Sequence, residues 1–161
     1  MSWRFFVPGV PAPKGSSRAF FVKALGRAVI TNANAKTKPW EKAVRAEAAN
    51  AMRGGSPTMA PIVFGVEFLF ARPKGHFRAN GAVKPGAPMR HTKKPDLDKL
   101  VRAMLDAATG LLFVDDSQVF RLGSCEKRYV SDGEVPGALV TVDAEVVQVA
   151  ADDCAAVGGA S

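Results

Sequence analysis

The most regular hydrophobic pattern in the chain lies in its middle third. Apolar residues recur there at the three- and four-residue spacing of one helical face, at Leu97, Leu100, Val101, Met104, Leu105 and Ala108. Asp96 is a favourable N-terminal cap and Gly110 a favourable C-terminal stop. The pattern therefore predicts an amphipathic helix over residues 96–109.

Shorter patterns predict the other elements. Apolar residues alternate from Ile62 to Phe70, which is typical of a strand, and Trp40, Val44 and Ala48 recur at fours in a helix predicted over residues 39–52. Further strands are predicted over residues 3–10, 20–25, 28–31, 118–129 and 138–149. The order β-β-β-α-β-α-β-β predicts an α+β domain in which two main helices pack on one mixed sheet.

The size of the chain fits one globular domain. It has 161 residues, of which 47% are hydrophobic. We expect the domain to span residues 1–150 and the small, polar tail over residues 151–161 to be disordered. Two cysteines are too few for a disulfide framework, and the apolar runs are too short for a signal peptide or a membrane span. These features favour a cytoplasmic protein with no membrane partner.

The placement of charge adds a candidate partner. Lys and Arg number 22 against 15 Asp and Glu, which gives a formal net charge of +7. No Asp or Glu occurs over residues 1–39 or 68–95, and the second of these stretches ends in a long loop rich in Gly, Pro, Lys and Arg. Basic surfaces of this kind bind phosphates of nucleic acids, although uneven surface charge is an equally good interpretation of the distribution alone.

Acidic residues reappear abruptly at both ends of the predicted amphipathic helix. Asp96 and Asp98 lie at its start, and Asp115 and Asp116 follow its end. If the chain after Gly110 runs back along the helix, these carboxylates converge, and converging carboxylates suit Mg²⁺. The alternative assigns Asp96 to helix capping, Asp98 to the helix dipole, and Asp115 and Asp116 to a turn.

The same segment resembles a known family signature. Residues 94–110 read KPDLDKLVRAMLDAATG and residues 114–119 read VDDSQV, which is similar to the signature of the RusA family of Holliday junction resolvases. The loop over residues 9–15, GVPAPKG, resembles the corresponding loop of the phage branch of that family, and Lys127 and Tyr129 fit its following strand.

The resemblance implies roles for particular residues. Asp96, Asp98 and Asp116 would be catalytic and bind the metal, with Asp115 as a supporting ligand. Arg102 stands where the family prototype has a functional lysine. Arg102 would thus be catalytic as well, and because an arginine keeps the charge but does not give up a proton, its expected role is phosphate contact.

The implied function is resolution of Holliday junctions by paired symmetric nicks, catalysed by a homodimer with Mg²⁺, or Mn²⁺ in its place, in recombination, repair or phage DNA processing. The expected DNA contacts are Lys14, Arg18, Arg72, Lys74, Arg78, Arg90, Lys93, Lys94 and Lys99. The alternatives are a protein that binds branched DNA without cleaving it and a nuclease for other branched or flap DNA. We expect His76 and His91 to contact phosphate or face solvent, and Asp106 to pair with Arg102.

Overall fold

The computed structural model describes residues 1–15, 17–32 and 35–145. Its strands and helices follow the predicted order. They are β1 (Ser2–Pro8), β2 (Ser17–Val22), β3 (Arg27–Asn32), α1 (Thr37–Met52), β4 (Ile62–Phe70), α2 (Leu97–Ala108), β5 (Val119–Tyr129) and β6 (Gly137–Ala144). The predicted tail over residues 151–161 lies outside the described residues, as does the end of the last predicted strand.

Four of the strands form one mixed sheet in the order β1-β6-β4-β5. β6 is antiparallel to both of its neighbours, whereas β4 and β5 run parallel. This confirms the predicted α+β class with a mixed sheet and two helices. The hairpin of β2 and β3 departs from the prediction of one sheet, because it forms a separate two-stranded ribbon.

The core lies between the main sheet and the two helices. Alternate residues of β4 point into it, and Ile62, Phe64 and Phe68 are fully buried. α2 contributes its apolar face, and α1 contributes Trp40, Val44 and Ala48 as predicted. Hydrophobic periodicity therefore located both helices and the central strand, because burial in this core is what that periodicity records.

The chain turns sharply after α2 instead of running back along it. The Leu112 amide donates to the Ala108 carbonyl at 3.0 Å, and the Gly110 amide donates to the Phe113 carbonyl at 2.7 Å. Leu112 and Phe113 are fully buried at this end of the helix. The condition for convergence of the aspartates in one chain, a return along α2 after Gly110, is not met, because burial of these two side chains holds the segment at the end of the helix.

α2 begins at one end of β5 and ends near the other. At its start, the Lys127 ammonium donates to the Lys93 and Pro95 carbonyls at 2.8 and 2.7 Å. Just after its end, the Val114 amide donates to the carbonyl of Thr58, shortly before β4, at 3.3 Å. Because Ile62 at the start of β4 pairs with Val119 at the start of β5, this contact also lies near the start of β5. No helix in the described residues is long and apolar enough to cross a membrane.

Candidate functional site

Asp96 and Asp98 lie exposed at the start of α2. Asp96 occupies the N-cap position, but its side chain makes no capping hydrogen bond. Its carboxylate instead lies 3.3 Å from the Lys99 ammonium, with half of each side chain exposed. Such an exposed ion pair contributes little to stability. The capping interpretation of Asp96 is therefore not supported, and its carboxylate is accessible to a ligand.

The backbone that carries these two aspartates is held by β5. Lys127 donates to two carbonyls just before Asp96, and the His91 amide donates to the Lys127 carbonyl at 3.1 Å. An ammonium has three donors, so Lys127 uses two of them to fix this segment. Sequence reasoning noted Lys127 only as a fit to the family strand, because the carbonyls that it binds lie more than thirty residues earlier in the chain.

Asp115 and Asp116 lie in a turn before β5. An Asp115 carboxylate oxygen accepts from the Ser117 amide at 2.9 Å, and the Gln118 side chain accepts from the Asp115 amide at 2.9 Å. The hydrogen bonds from Ser117 lower the pKa of Asp115. Asp115 therefore holds the turn with one carboxylate oxygen, while the neighbouring Asp116 side chain is exposed.

The turn is fastened to the start of β4. The side-chain nitrogen Nε2 of Gln118 donates to the Thr58 and Ala60 carbonyls at 3.0 and 2.9 Å. This fastening places Asp116 at the end of the sheet opposite to Asp96.

The two pairs of aspartates are consequently separated in one chain. α2 has 12 residues, which is about 18 Å of helix, and the strand from Val119 to Lys127 spans about 26 Å. Asp96 and Asp116 are thus on the order of 20 Å apart, too far to share a cation. Across the described residues, no three His, Cys, Asp or Glu side chains lie together as metal ligands. The donors suit Mg²⁺ in type, but one chain does not assemble them.

Arg102 lies one helical turn beyond Asp98 with its side chain exposed. Asp106, a further turn along, forms an ion pair with Lys14. The expected pair of Asp106 with Arg102 is not found among the described residues. The reason is that residues 9–15 cross α2, where the Lys14 amide also donates to the Lys99 carbonyl at 3.4 Å. Arg102 is left available to an external anion.

The predicted DNA-contacting residues fall into two groups. The side chains of Lys74, Arg78, Lys93 and Lys94 are exposed, and no partner for any of the four occurs within the described parts of the chain. Lys14, Arg90 and Lys99 pair with Asp106, Glu126 and Asp96 respectively. The Arg18 side chain lies outside the described residues.

Arg72 connects the long loop to the end of β5 by hydrogen bonds within the chain. Its guanidinium donates to the Val130 and Pro88 carbonyls at 2.9 and 3.0 Å and lies 5.6 Å from the centre of the Tyr129 ring. A side chain with these partners orders the loop over residues 71–95 more directly than it contacts DNA. The loop is therefore built against the sheet, although its composition gave no sign of regular contacts.

Both histidines pack against aromatic rings, contrary to the expectation of phosphate contact or solvent. The His91 ring stacks on Phe70 with centroids 4.1 Å apart, and His76 meets Tyr129 edge-on at 4.8 Å. Burial, followed by Lys127, lowers the pKa of His91, and burial, followed by Arg72, lowers that of His76. Both imidazoles therefore pack within the loop and help to order it.

A cavity of about 490 Å³ opens beside Asp96. Its lining comprises Val10, Pro11, Ala12, Pro13, Lys36, Phe70, Lys94, Pro95, Asp96 and Lys99. The cavity could not be predicted from the sequence because its walls come from four distant segments, namely residues 10–13, Lys36 before α1, the end of β4 and residues 94–99 at the start of α2. The only signal was the proline-rich loop, whose composition predicts rigidity but no location.

The family model described as endodeoxyribonuclease RusA matches residues 8–143, which cover most of the chain. No curated protein gives a significant match.

Proposed function

The chain belongs to the RusA family of endodeoxyribonucleases, and from this membership we propose that it resolves Holliday junctions by Mg²⁺-dependent hydrolysis with paired symmetric nicks. It is an endodeoxyribonuclease that acts on branched Holliday junction DNA, and nucleases of this type are generally dependent on a divalent metal. The observation that carries the finer proposal is the pair of accessible carboxylates, Asp96 and Asp98, beside an exposed basic loop. A cytoplasmic location and a phage or prophage origin stay predictions.

We assign the metal to Asp96, Asp98 and Asp116, with Asp115 supporting Asp116 through the turn. Carboxylate oxygens in solvent-accessible positions suit Mg²⁺, which retains several waters, and Mn²⁺ accepts the same ligands. A bound divalent ion supplies Lewis-acid chemistry for hydrolysis of the phosphodiester by water. In one chain, Asp96 and Asp98 hold negative charge at the start of α2, where exposed surface leaves room for a phosphate.

The separation of the aspartates supports a homodimer in which two copies complete each site. Asp96 and Asp98 of one protomer would be joined by Asp116 of the partner subunit. Two sites related by a twofold axis would also make the two symmetric cuts that resolution needs.

The open edge of β5 is the surface that we assign to this dimer. β5 is the last strand of the sheet, and residues 89–91 cover its outer edge only near residues 127–129. Phe120 and Leu122, in the uncovered part, are 52% and 53% exposed. Antiparallel pairing of two such edges puts the start of one β5 beside the end of the other, so each Asp116 approaches the other protomer's α2 start.

The basic residues would bind the phosphates of the junction arms. Lys74, Arg78, Lys93 and Lys94 are exposed, so we assign direct phosphate contacts to them and to Arg102. Arg18 stays a predicted contact. Lys14, Arg72 and Arg90 have internal partners, so we assign to them the ordering of the loops that carry the others, whereas Lys99 stays a predicted contact.

The test is cleavage of a synthetic four-way junction by the wild type and by Asp98→Asn. We expect Mg²⁺-dependent cleavage that EDTA abolishes. The substitution should slow cleavage on the order of 1,000-fold, because it removes one metal-binding charge while preserving shape.

Binding of the junction in EDTA, measured by gel shift, is the control and should be similar for both proteins. Tight binding with no cleavage in Mg²⁺ or Mn²⁺ would instead identify a branched-DNA-binding protein. Equal cleavage of flap DNA and junctions would contradict junction selectivity.

A further inference from the structure

The cavity beside Asp96 has a character that phosphate chemistry does not explain. Its lining includes the apolar side chains of Val10, Pro11, Pro13 and Phe70, together with Asp96 and the lysines Lys36, Lys94 and Lys99. Hydrolysis and phosphate binding need charged and polar groups, which act on the DNA backbone. An apolar hollow next to the catalytic carboxylates therefore indicates a second element of recognition.

The walls of the cavity are held in place before any ligand binds. The Thr37 hydroxyl donates to the Pro13 carbonyl at 2.9 Å, and the Gly9 amide donates to the Pro136 carbonyl at 3.1 Å. The prolines fix the backbone φ angle of the loop. On the other side, the stacked His91 ring supports Phe70. A volume of about 490 Å³ with rigid, largely apolar walls is typical of a preformed small-ligand pocket.

We propose that this cavity receives one nucleobase, unstacked from the DNA strand that is cut, next to the scissile phosphate. The proposal rests on the proposed function. A base has two flat apolar faces, which proline and phenylalanine side chains can sandwich. The phosphate attached to that nucleotide would then lie between Lys94, which lines the cavity, and the carboxylates of α2.

The geometry of a junction makes such a base available. Extruding a base costs least where it is already poorly stacked or unpaired, as at a strand exchange point. Capture of the base would fix the nucleotide at the cutting position, so this cavity would determine where along the strand the nick is made. It would add a preference for branched DNA that phosphate contacts alone do not provide.

The test combines a blocked cavity with a missing base. Val10 is 60% exposed at the cavity, so Val10→Trp fills it without disturbing the core. The matched control is Val135→Trp, at a valine that is 56% exposed and lies near Glu134 and Leu139, outside the lining of this cavity. Each protein is assayed on a four-way junction and on the same junction with an abasic nucleotide next to the mapped cut.

We expect Val10→Trp to slow cleavage of the intact junction about tenfold, which corresponds to losing the stacking of one base. On the abasic junction the same variant should cut at nearly the wild-type rate, and Val135→Trp should match the wild type on both. Equal slowing on the two junctions, or no slowing on either, would overturn the proposal.

A binding measurement separates this proposal from the proposed function. Junctions carrying 2-aminopurine at successive positions around the exchange point are titrated with protein in EDTA. Wild type and Val135→Trp should raise the fluorescence at one position, as expected for an unstacked base, whereas Val10→Trp should not. Absence of that rise in the wild type would refute the base-binding cavity even if cleavage is normal. A rise without cleavage in any divalent metal would refute only the nuclease mechanism.

Discussion

The two ends of α2 differ in almost every physical respect. The start of the helix carries the exposed Asp96 and Asp98, lies beside a cavity and joins a basic loop held by Lys127. The end is closed by the buried Leu112 and Phe113 and leads into a turn capped by Asp115. In the sequence these ends form one signature of about 26 residues. A motif that is continuous in sequence can therefore contain two half-sites, which in the proposed dimer belong to two different active sites.

Mixing two inactive variants tests that division most strongly. Asp98→Asn and Asp116→Asn should each be inactive alone. Co-refolded or co-expressed, they should form mixed dimers in which one site has all its carboxylates and the other has lost two. With random assortment about a quarter of the wild-type sites are recovered.

The readout is the product of junction cleavage. Mixed dimers should yield single nicks instead of resolved junctions, because each holds one intact site. Complete inactivity of the mixture, with exchange of subunits verified by differently tagged chains, would contradict the division and place all the ligands in one protomer.

Loss of Lys127 should affect the start of the helix alone. Lys127→Met removes two charge-assisted hydrogen bonds to the segment before Asp96, so the free energy of unfolding should fall by about 1.5–3 kcal/mol. Misplacement of the carboxylates should slow cleavage up to about 100-fold.

Lys127→Arg is the matched variant for chemical denaturation and junction cleavage. It retains a donor of the same charge and should recover part of both losses. A variant that is destabilised yet cuts at the full rate under stable conditions would show that this clamp does not position the aspartates.

Removal of two exposed cations should weaken binding without changing the chemistry. The double variant Lys74→Ala/Arg78→Ala should bind junctions more weakly, and the slope of log affinity against log salt should decrease by about 2. The cleavage rate at saturating protein should change far less than binding. Lys38→Ala/Lys42→Ala, which removes the same charge from α1, should leave the slope nearly unchanged, and an equal decrease would indicate a net-charge effect.

The smallest effect is expected at the turn. Asp115→Ala removes the cap on the Ser117 amide and should lower the Tm by a few degrees. Because hydrogen bonding lowers the pKa of Asp115, the ionised cap stabilises the fold above the ordinary aspartate range and loses that effect as the pH falls through the lowered pKa. The Tm difference between wild type and variant should thus be constant near neutral pH and shrink in acid. A difference that grows on acidification would assign another role to Asp115.

The sequence predicts correctly those elements whose hydrophobic periodicity can be read within the element itself. β4 was predicted with its observed bounds, and α2 within one residue at each end, because their periodicity reflects burial against a single core. Sequence reasoning failed where a contact joins distant segments. Nothing local to Asp106 indicates Lys14 as its partner, and nothing local to His91 indicates the Phe70 ring.

The candidate site shows the same limit. Residue types and spacing made the aspartates candidates, since acids are absent from the preceding stretch, and their role stays a prediction. Their distribution over two ends of the sheet depends on the turn at Gly110, and that turn depends on burial of Leu112 and Phe113 among residues from other elements. Whether such side chains are buried is a property of the assembled core.

The hydrogen bond from Thr37 to Pro13 gives the β2–β3 ribbon a closed base. The chain contacts α2 up to Lys14 and enters α1 at Thr37, and the ribbon between them contributes no strand to the main sheet. Its length and sequence can therefore change without altering the register of the four-stranded sheet. The fold thus contains an interchangeable module, at which related chains could diversify, or an engineer could graft, without rebuilding the scaffold.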